Sequence, residues 1–136
     1  MDLIKSTKYY DILVSSDKKI AEIKWKKPIL DMLIEEYKTV LSKAYSQLLD
    51  LKPEALLQNT QDAVYPITDE LQEWLTENIT KKIFEKIGLK KIAYLVPTDF
   101  LTKIGIEMLI QKANQKSTIA RNFLDDYQKA IDWLRK

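Results

Sequence analysis

Glu35, Glu36, Asp62 and Asp69 are the carboxylates on which acid–base chemistry would draw in a chain that has neither cysteine nor histidine. Such chemistry needs two carboxyl groups converging on a cleft. These are scattered over helical faces and a loop, so they read as solvated charge, as does the Glu77–Lys81 pair at i,i+4 spacing. Without cysteine there is no thiolate nucleophile, disulfide or Cys-based zinc site. Without histidine there is no Ser-His-Asp or Cys-His mechanism. A carboxylate-only metal site would need an EF-hand loop or an acidic cluster at ligand spacing, and the chain has neither. Its two glycines, Gly88 and Gly105, cannot build a phosphate-binding G-x-x-x-x-G-K-[ST] loop or a G-x-G-x-x-G turn. No catalytic residue, metal or cofactor is expected.

Two other features could carry polar chemistry. Thr68 is placed to be a phosphoacceptor at a helix start, and equally to be an N-cap worth about 1 kcal/mol. The adjacent Asp69 and Glu70 suit the helix dipole and would repel a phosphate. Lys24, Lys26 and Lys27 surround Trp25, an arrangement that could stack and neutralise nucleic acid, or that places guard lysines on a strand with Trp25 buried. No second basic-aromatic cluster occurs, and 22 basic residues face 20 acidic ones, so no nucleic-acid partner is expected.

The elements that must hold these residues alternate. Residues 9–14 and 19–25 read as strands around a polar S-S-D-K turn, with Ala21, Ile23 and Trp25 on one face. From Leu30 to Leu48 the period changes to three and four, predicting a helix of about five turns. A short strand over 54–60 follows, then a loop. A helix runs from the Thr68 cap through Leu71, Leu75, Ile79, Ile83 and Ile87 to a C′ glycine, Gly88. The apolar run 90–96 reads as a central parallel strand. A third helix extends to about Ala113, residues 116–123 form another strand, and a terminal helix has Asp125 as N-cap and Gln128 at N3. The order β-β-α-β-α-β-α-β-α argues for an α/β fold with a mainly parallel sheet. At 136 residues, 46% hydrophobic and 31% charged, the expectation is one domain over 1–136. No apolar run is long enough for a membrane span and the start lacks an apolar h-region, so a cytoplasmic location is expected.

The third helix has more apolar surface than one sheet needs. Phe100, Leu101, Ile104, Gly105, Met108 and Leu109 span one broad face, and Ile106, Ile110 and Ala113 fall largely outside it. The surplus points to a dimer mate, an adjoining helix or an apolar ligand. The opening hairpin with Trp25, Trp74 in the second helix, GLKKIAYLVPTDF (88–100) and FLDDYQKAIDWLR (123–135) together resemble the SpoIIAA-like proteins, small bacterial STAS-type domains that are also compared with lipid-binding folds. The resemblance covers nearly the whole chain. It implies a four- or five-stranded sheet with helices on one side or both, and a domain that works by binding, with no single function attached. In the anti-sigma-factor antagonist branch a Ser or Thr after the third strand is phosphorylated within an Asp-Ser-Ser-Gly-like motif. Here that motif is absent, Thr68 is the hydroxyl at the matching helix start and Thr60 the one at the strand end. The resulting expectation is a non-enzymatic protein-interaction domain, self-associating as a homodimer through Phe100, Ile104, Ile106, Met108 and Ile110. The alternative is carriage of an apolar small molecule in a pocket between sheet and helices, lined by Trp25, Trp74, Phe100, Ile104 and Met108.

Overall fold

A computed structural model of the chain describes residues 1–99 and 118–136. Its frame is a six-stranded sheet in which spatial order follows chain order. The strands are β1 (Asp2–Ser6), β2 (Tyr10–Val14), β3 (Ile20–Trp25), β4 (Ala55–Asn59), β5 (Lys91–Leu95) and β6 (Ala120–Leu124). The pairs β1–β2 and β2–β3 are antiparallel, and β3 to β6 run parallel. The β2–β3 turn closes through Ser15 and Asp17. The Asp17 carboxylate accepts from Ser15 Oγ at 2.6 Å and from the Lys19 amide at 3.1 Å, and Lys18 takes the left-handed conformation at φ 61°. Strand β1 is an addition to the order read from the sequence. Every one of its residues is exposed, so it shows no alternation of apolar and polar positions.

The helix expected from Leu30 to Leu48 is broken. A 3-10 turn covers Lys27–Asp31 with Pro28 in its first turn, Met32 and Leu33 are extended, and α1 spans Ile34–Ser46. The Tyr65 hydroxyl donates to Met32 O at 2.9 Å, taking a carbonyl that a continuous helix would have used internally. Leu30 and Leu33 are therefore exposed, whereas Tyr37, Leu41, Ala44 and Leu48 are buried as the periodicity requires. A short α2 (Leu48–Leu51) ends at Lys52, left-handed at φ 47°.

The second long helix begins as expected: Thr68 Oγ1 accepts from the Leu71 amide at 3.2 Å and caps α3 (Asp69–Leu75). It then widens into a π-helix over Thr76–Phe84, closed by the Glu85 amide on Thr80 O at 2.9 Å. A strict i+4 apolar series drifts round an α-helix of 3.6 residues per turn, and the wider π turn drifts it back. Leu71, Ile79 and Ile83 are accordingly all buried. Gly88 ends the segment at φ 73°. The third helix, expected up to about Ala113, lies outside the described residues.

The terminal helix α4 spans Tyr127–Arg135, and its N-cap is Asp126, whose carboxylate accepts from the Lys129 amide at 2.9 Å. The cap expected at Asp125 thus shifts by one residue, because Asp126 is the last extended residue and its reach falls on N3. Gln128 pairs instead with Asp132, at 2.9 Å.

Alternate strand residues feed two cores. Ile12, Ile23, Trp25, Leu56 and Ile92 face α1, α3 and the π-helix. Ile20, Leu57, Ala93 and Leu95 face Ala130 and Leu134 of α4. On the α4 side Glu22 is buried and accepts from Tyr127 Oη at 2.5 Å and Asn59 Nδ2 at 3.0 Å, so the carboxylate is held by donors from β4 and α4.

Candidate functional site

On the face opposite α4 the helices stand off from the sheet. A cavity of about 670 Å³ lies between the C-terminal halves of β3–β6 and the overlying α1, α3 and π-helix. In parallel α/β sheets the crevice at the carboxyl ends of the strands is the usual ligand position, and the volume lies within the ~300–1,000 Å³ of small-molecule sites.

The sheet supplies the floor. Gln58 and Tyr94 are register partners on β4 and β5, and Tyr94 and Phe123 on β5 and β6, so they project side by side. Tyr94 and Phe123 stack with centroids 4.8 Å apart. Trp25 closes β3 and meets Tyr45 of α1 edge-on at 6.0 Å, and Tyr45 meets Phe84 of the π-helix at 5.2 Å and 87°. These edge-to-face and offset contacts are the arrangements aromatic quadrupoles favour. On the loop side Tyr65 stacks on Tyr37 at 3.8 Å, and Ile67 is 44% exposed while lining the space, so the loop Ala63–Ile67 forms an opening to solvent.

Polar groups within this apolar shell are placed individually. Trp25 Nε1 donates to Gln58 Oε1 at 3.1 Å, and Gln58 Nε2 donates to the Tyr45 hydroxyl. Burial pushes the Tyr45 phenol well above its ordinary range, with Tyr37 adding to the rise and the Gln58 hydrogen bond opposing it; burial likewise raises Tyr37. Both stay protonated at neutral pH and act as neutral hydrogen-bonding groups. Arg121 of β6 is 9% exposed and directs its guanidinium to Ile119 O and Thr80 Oγ1, each at 3.4 Å. It is the sole charged side chain among the described residues that line the cavity. The π-helix sets Thr76 and Thr80 on the same wall; π turns recur at functional sites because they re-aim side chains within a helix. The described lining can enclose an apolar body and meet it with a few polar groups.

The residues singled out in the sequence separate here. Trp25 lines the cavity and is buried. Trp74 packs at the margin of the core with Lys38 Nζ 5.6 Å from its ring centre, and is not among the described lining residues. Thr68 caps α3 from an exposed position. Phe100, Ile104, Ile106, Met108 and Ile110 lie outside the described residues. The carboxylates stay apart: Glu35 pairs with Lys38 at 3.3 Å and Asp62 with Lys24 at 3.8 Å. Lys26 pairs with Asp11 at 2.8 Å, so Lys24 and Lys26, on either side of Trp25, form ion pairs at the strand surface. Among the described residues no acidic group of metal-binding size occurs, and no helix is long and apolar enough to cross a membrane. Gln58, Tyr45, Thr80 and Arg121 escaped the sequence reading. Arg121 had one legible sign, a charge two residues from Phe123 and hence on the same strand face.

No family model matches the chain, and no curated protein matches it. Among solved structures it is similar to an uncharacterized protein of the DUF3478 family with a SpoIIAA-like fold from Shewanella loihica PV-4. The two are 18% identical, with a TM-score of 0.59 over 96% of this chain and 98% of that one. Likeness at that identity concerns the fold. With its mixed, mostly parallel sheet and helices on both faces, the chain has a SpoIIAA-like fold.

Proposed function

We propose that this chain acts as a single non-catalytic binding domain that takes an apolar small molecule into the cavity between sheet and helices. The observation that carries the reading is the aromatic-lined space of about 670 Å³ at the carboxyl ends of the parallel strands. A SpoIIAA-like fold suits a STAS-type domain, whose work is binding. Self-association as a homodimer rests on the helix face of Phe100 to Ile110, which lies outside the described residues, so the cavity is the better supported site.

Native mass spectrometry and solvent extraction of the purified protein test the proposal. A co-purifying amphiphile, or a change in Trp emission on adding one that is lost in Trp25→Phe, is the expected result. An empty protein whose emission and melting temperature ignore a panel of amphiphiles would overturn it. Light scattering on the same sample reports whether the protein is a dimer.

A further inference from the structure

Three tyrosines line the cavity from two sides, Tyr37 and Tyr45 from α1 and Tyr94 from β5. Their phenols are electrostatic neighbours: behind burial, Tyr65 and then Tyr94 raise Tyr37, and Tyr37 and Tyr94 raise Tyr45. The direction of the hydrogen bonds beside them is forced. The Trp25 indole can only donate, so Gln58 turns its Oε1 to Trp25 and its Nε2 to Tyr45, whose oxygen accepts. The Tyr45 proton is left over. The hydroxyls of Tyr37, 8% exposed, and of Tyr94 form no hydrogen bond among the described residues. No unbonded side-chain nitrogen or oxygen there is shut off from open space, so both hydroxyls open to the cavity that their rings line. The described lining contains no carboxylate. It is rich in protons to donate and poor in acceptors.

We infer that the ligand is an apolar molecule with an uncharged acceptor oxygen, a ketone- or quinone-type carbonyl, seated among the hydroxyls of Tyr37, Tyr45 and Tyr94. The inference rests on the proposed binding function and adds to it the chemistry of the ligand's polar end. A carbonyl oxygen has lone pairs and no proton, so it can accept from two phenols at once. A phenol oxygen is a poorer acceptor than a carbonyl, because its lone pair is drawn into the ring, so a ligand hydroxyl gains less here. Tyr45 is the strongest of the donors, since accepting from Gln58 polarises its own O–H. Neutral donors of this kind only partly replace the water that an anion gives up on burial. The hydroxyls are also held in place beforehand: Tyr45 meets Trp25 and Phe84, Tyr94 stacks on Phe123 and Tyr37 on Tyr65, so little ordering is left for binding to impose.

The experiment is equilibrium dialysis of the full chain near neutral pH against fluorenone, 9-hydroxyfluorene, fluorene and fluorene-9-carboxylate, which put different polar ends on one tricyclic skeleton. Expected is tighter binding of the ketone than of the alcohol or the carboxylate. The infrared carbonyl stretch of bound fluorenone should lie below its position in hexane, as a hydrogen-bonded carbonyl requires. Tyr37→Phe and Tyr94→Phe each keep the ring and remove a hydroxyl that no described residue bonds. Each should therefore lower the ratio of fluorenone to fluorene affinity by about two- to tenfold without lowering the melting temperature. A merely structural hydroxyl would do the reverse, moving the melting temperature and leaving the ratio. If one variant fails to fold, the other and the carbonyl stretch in the wild type still decide. A ratio that ignores both substitutions, a hexane-like stretch, or tighter binding of the alcohol or the carboxylate overturns the acceptor-oxygen assignment and leaves the binding function standing. No binding of any of the four counts against both.

Discussion

Replacing Gln58 with leucine should destabilise the protein sharply although the two side chains are similar in size. Gln58 is 4% exposed and joins Trp25 Nε1, at 3.1 Å, to the Tyr45 hydroxyl across the sheet–helix interface. Leucine removes both bonds and strands an indole N–H and a phenol in an aromatic shell where Trp25 is 3% and Tyr45 5% exposed. Each stranded group costs about 1–3 kcal/mol; the added apolar contact of leucine returns part of this, leaving a net loss of about 2–4 kcal/mol. At about 3–5 °C per kcal/mol for a chain of this size, the melting temperature should fall by about 6–20 °C. The loss is a large share of the ~5–15 kcal/mol that holds a domain folded. Urea denaturation at constant m-value is the assay. Tyr45→Phe supplies the control. If the bonds form one network, the double variant should be about 1–2 kcal/mol less damaged than the sum of the singles, because the second change removes a group the first had already stranded. A Gln58→Leu protein within about 0.5 kcal/mol of wild type would refute the reasoning, since it would mean that water in the cavity satisfies both groups.

Thr68→Ala should cost about 1 kcal/mol through loss of the cap on α3, whereas Thr68→Asp, which also caps, should be near neutral; thermal melts that rank the two the other way would count against a capping role. The Asp17 carboxyl is held well below the usual carboxylate range by hydrogen bonds from Ser15, the Lys19 amide and Arg135. Its folded pKa is depressed, so its contribution is present above the unfolded value of about 3.9 and is lost as pH falls below it. Asp17→Asn should flatten the fall of melting temperature below about pH 4, and an unchanged slope would sink the assignment. Tyr127→Phe takes a 2.5 Å donor from buried Glu22 and should cost about 1.5 kcal/mol, the low end for a bond to a charged group because Tyr127 is 37% exposed; chemical denaturation showing no loss would mean that Asn59 alone holds the carboxylate.

What could be read from the sequence depended on whether a signal was local. Strands β2 to β5 announced themselves by alternation or by a continuous apolar run, and Thr68 and Gly88 marked both ends of the second helix. Strand β1 gave no such sign because all its residues are exposed, and its place comes from pairing with β2. The break at Met32 was equally hidden, since the tyrosine that holds it is 33 residues away. The cavity needs α1 and the π-helix to stand off from four parallel strands, a relation no single stretch encodes. Of its described lining, Trp25 is the side chain that the sequence assigns to a pocket. Arg121 sits where the strand pattern can show its face but not what it faces.

Because every pair of strands adjacent in the sheet is also adjacent in the chain, the sheet can be laid down one strand at a time as synthesis proceeds. The cavity cannot. Its Arg121 and Phe123 come from β6, the last strand of the sheet, so the pocket gains one wall and one side of its aromatic floor only when that strand docks. A ligand held there would favour the docked state, and loss of ligand would be felt first as loosening of β6 and α4. Occupancy of the cavity would then register that the final strand is in place.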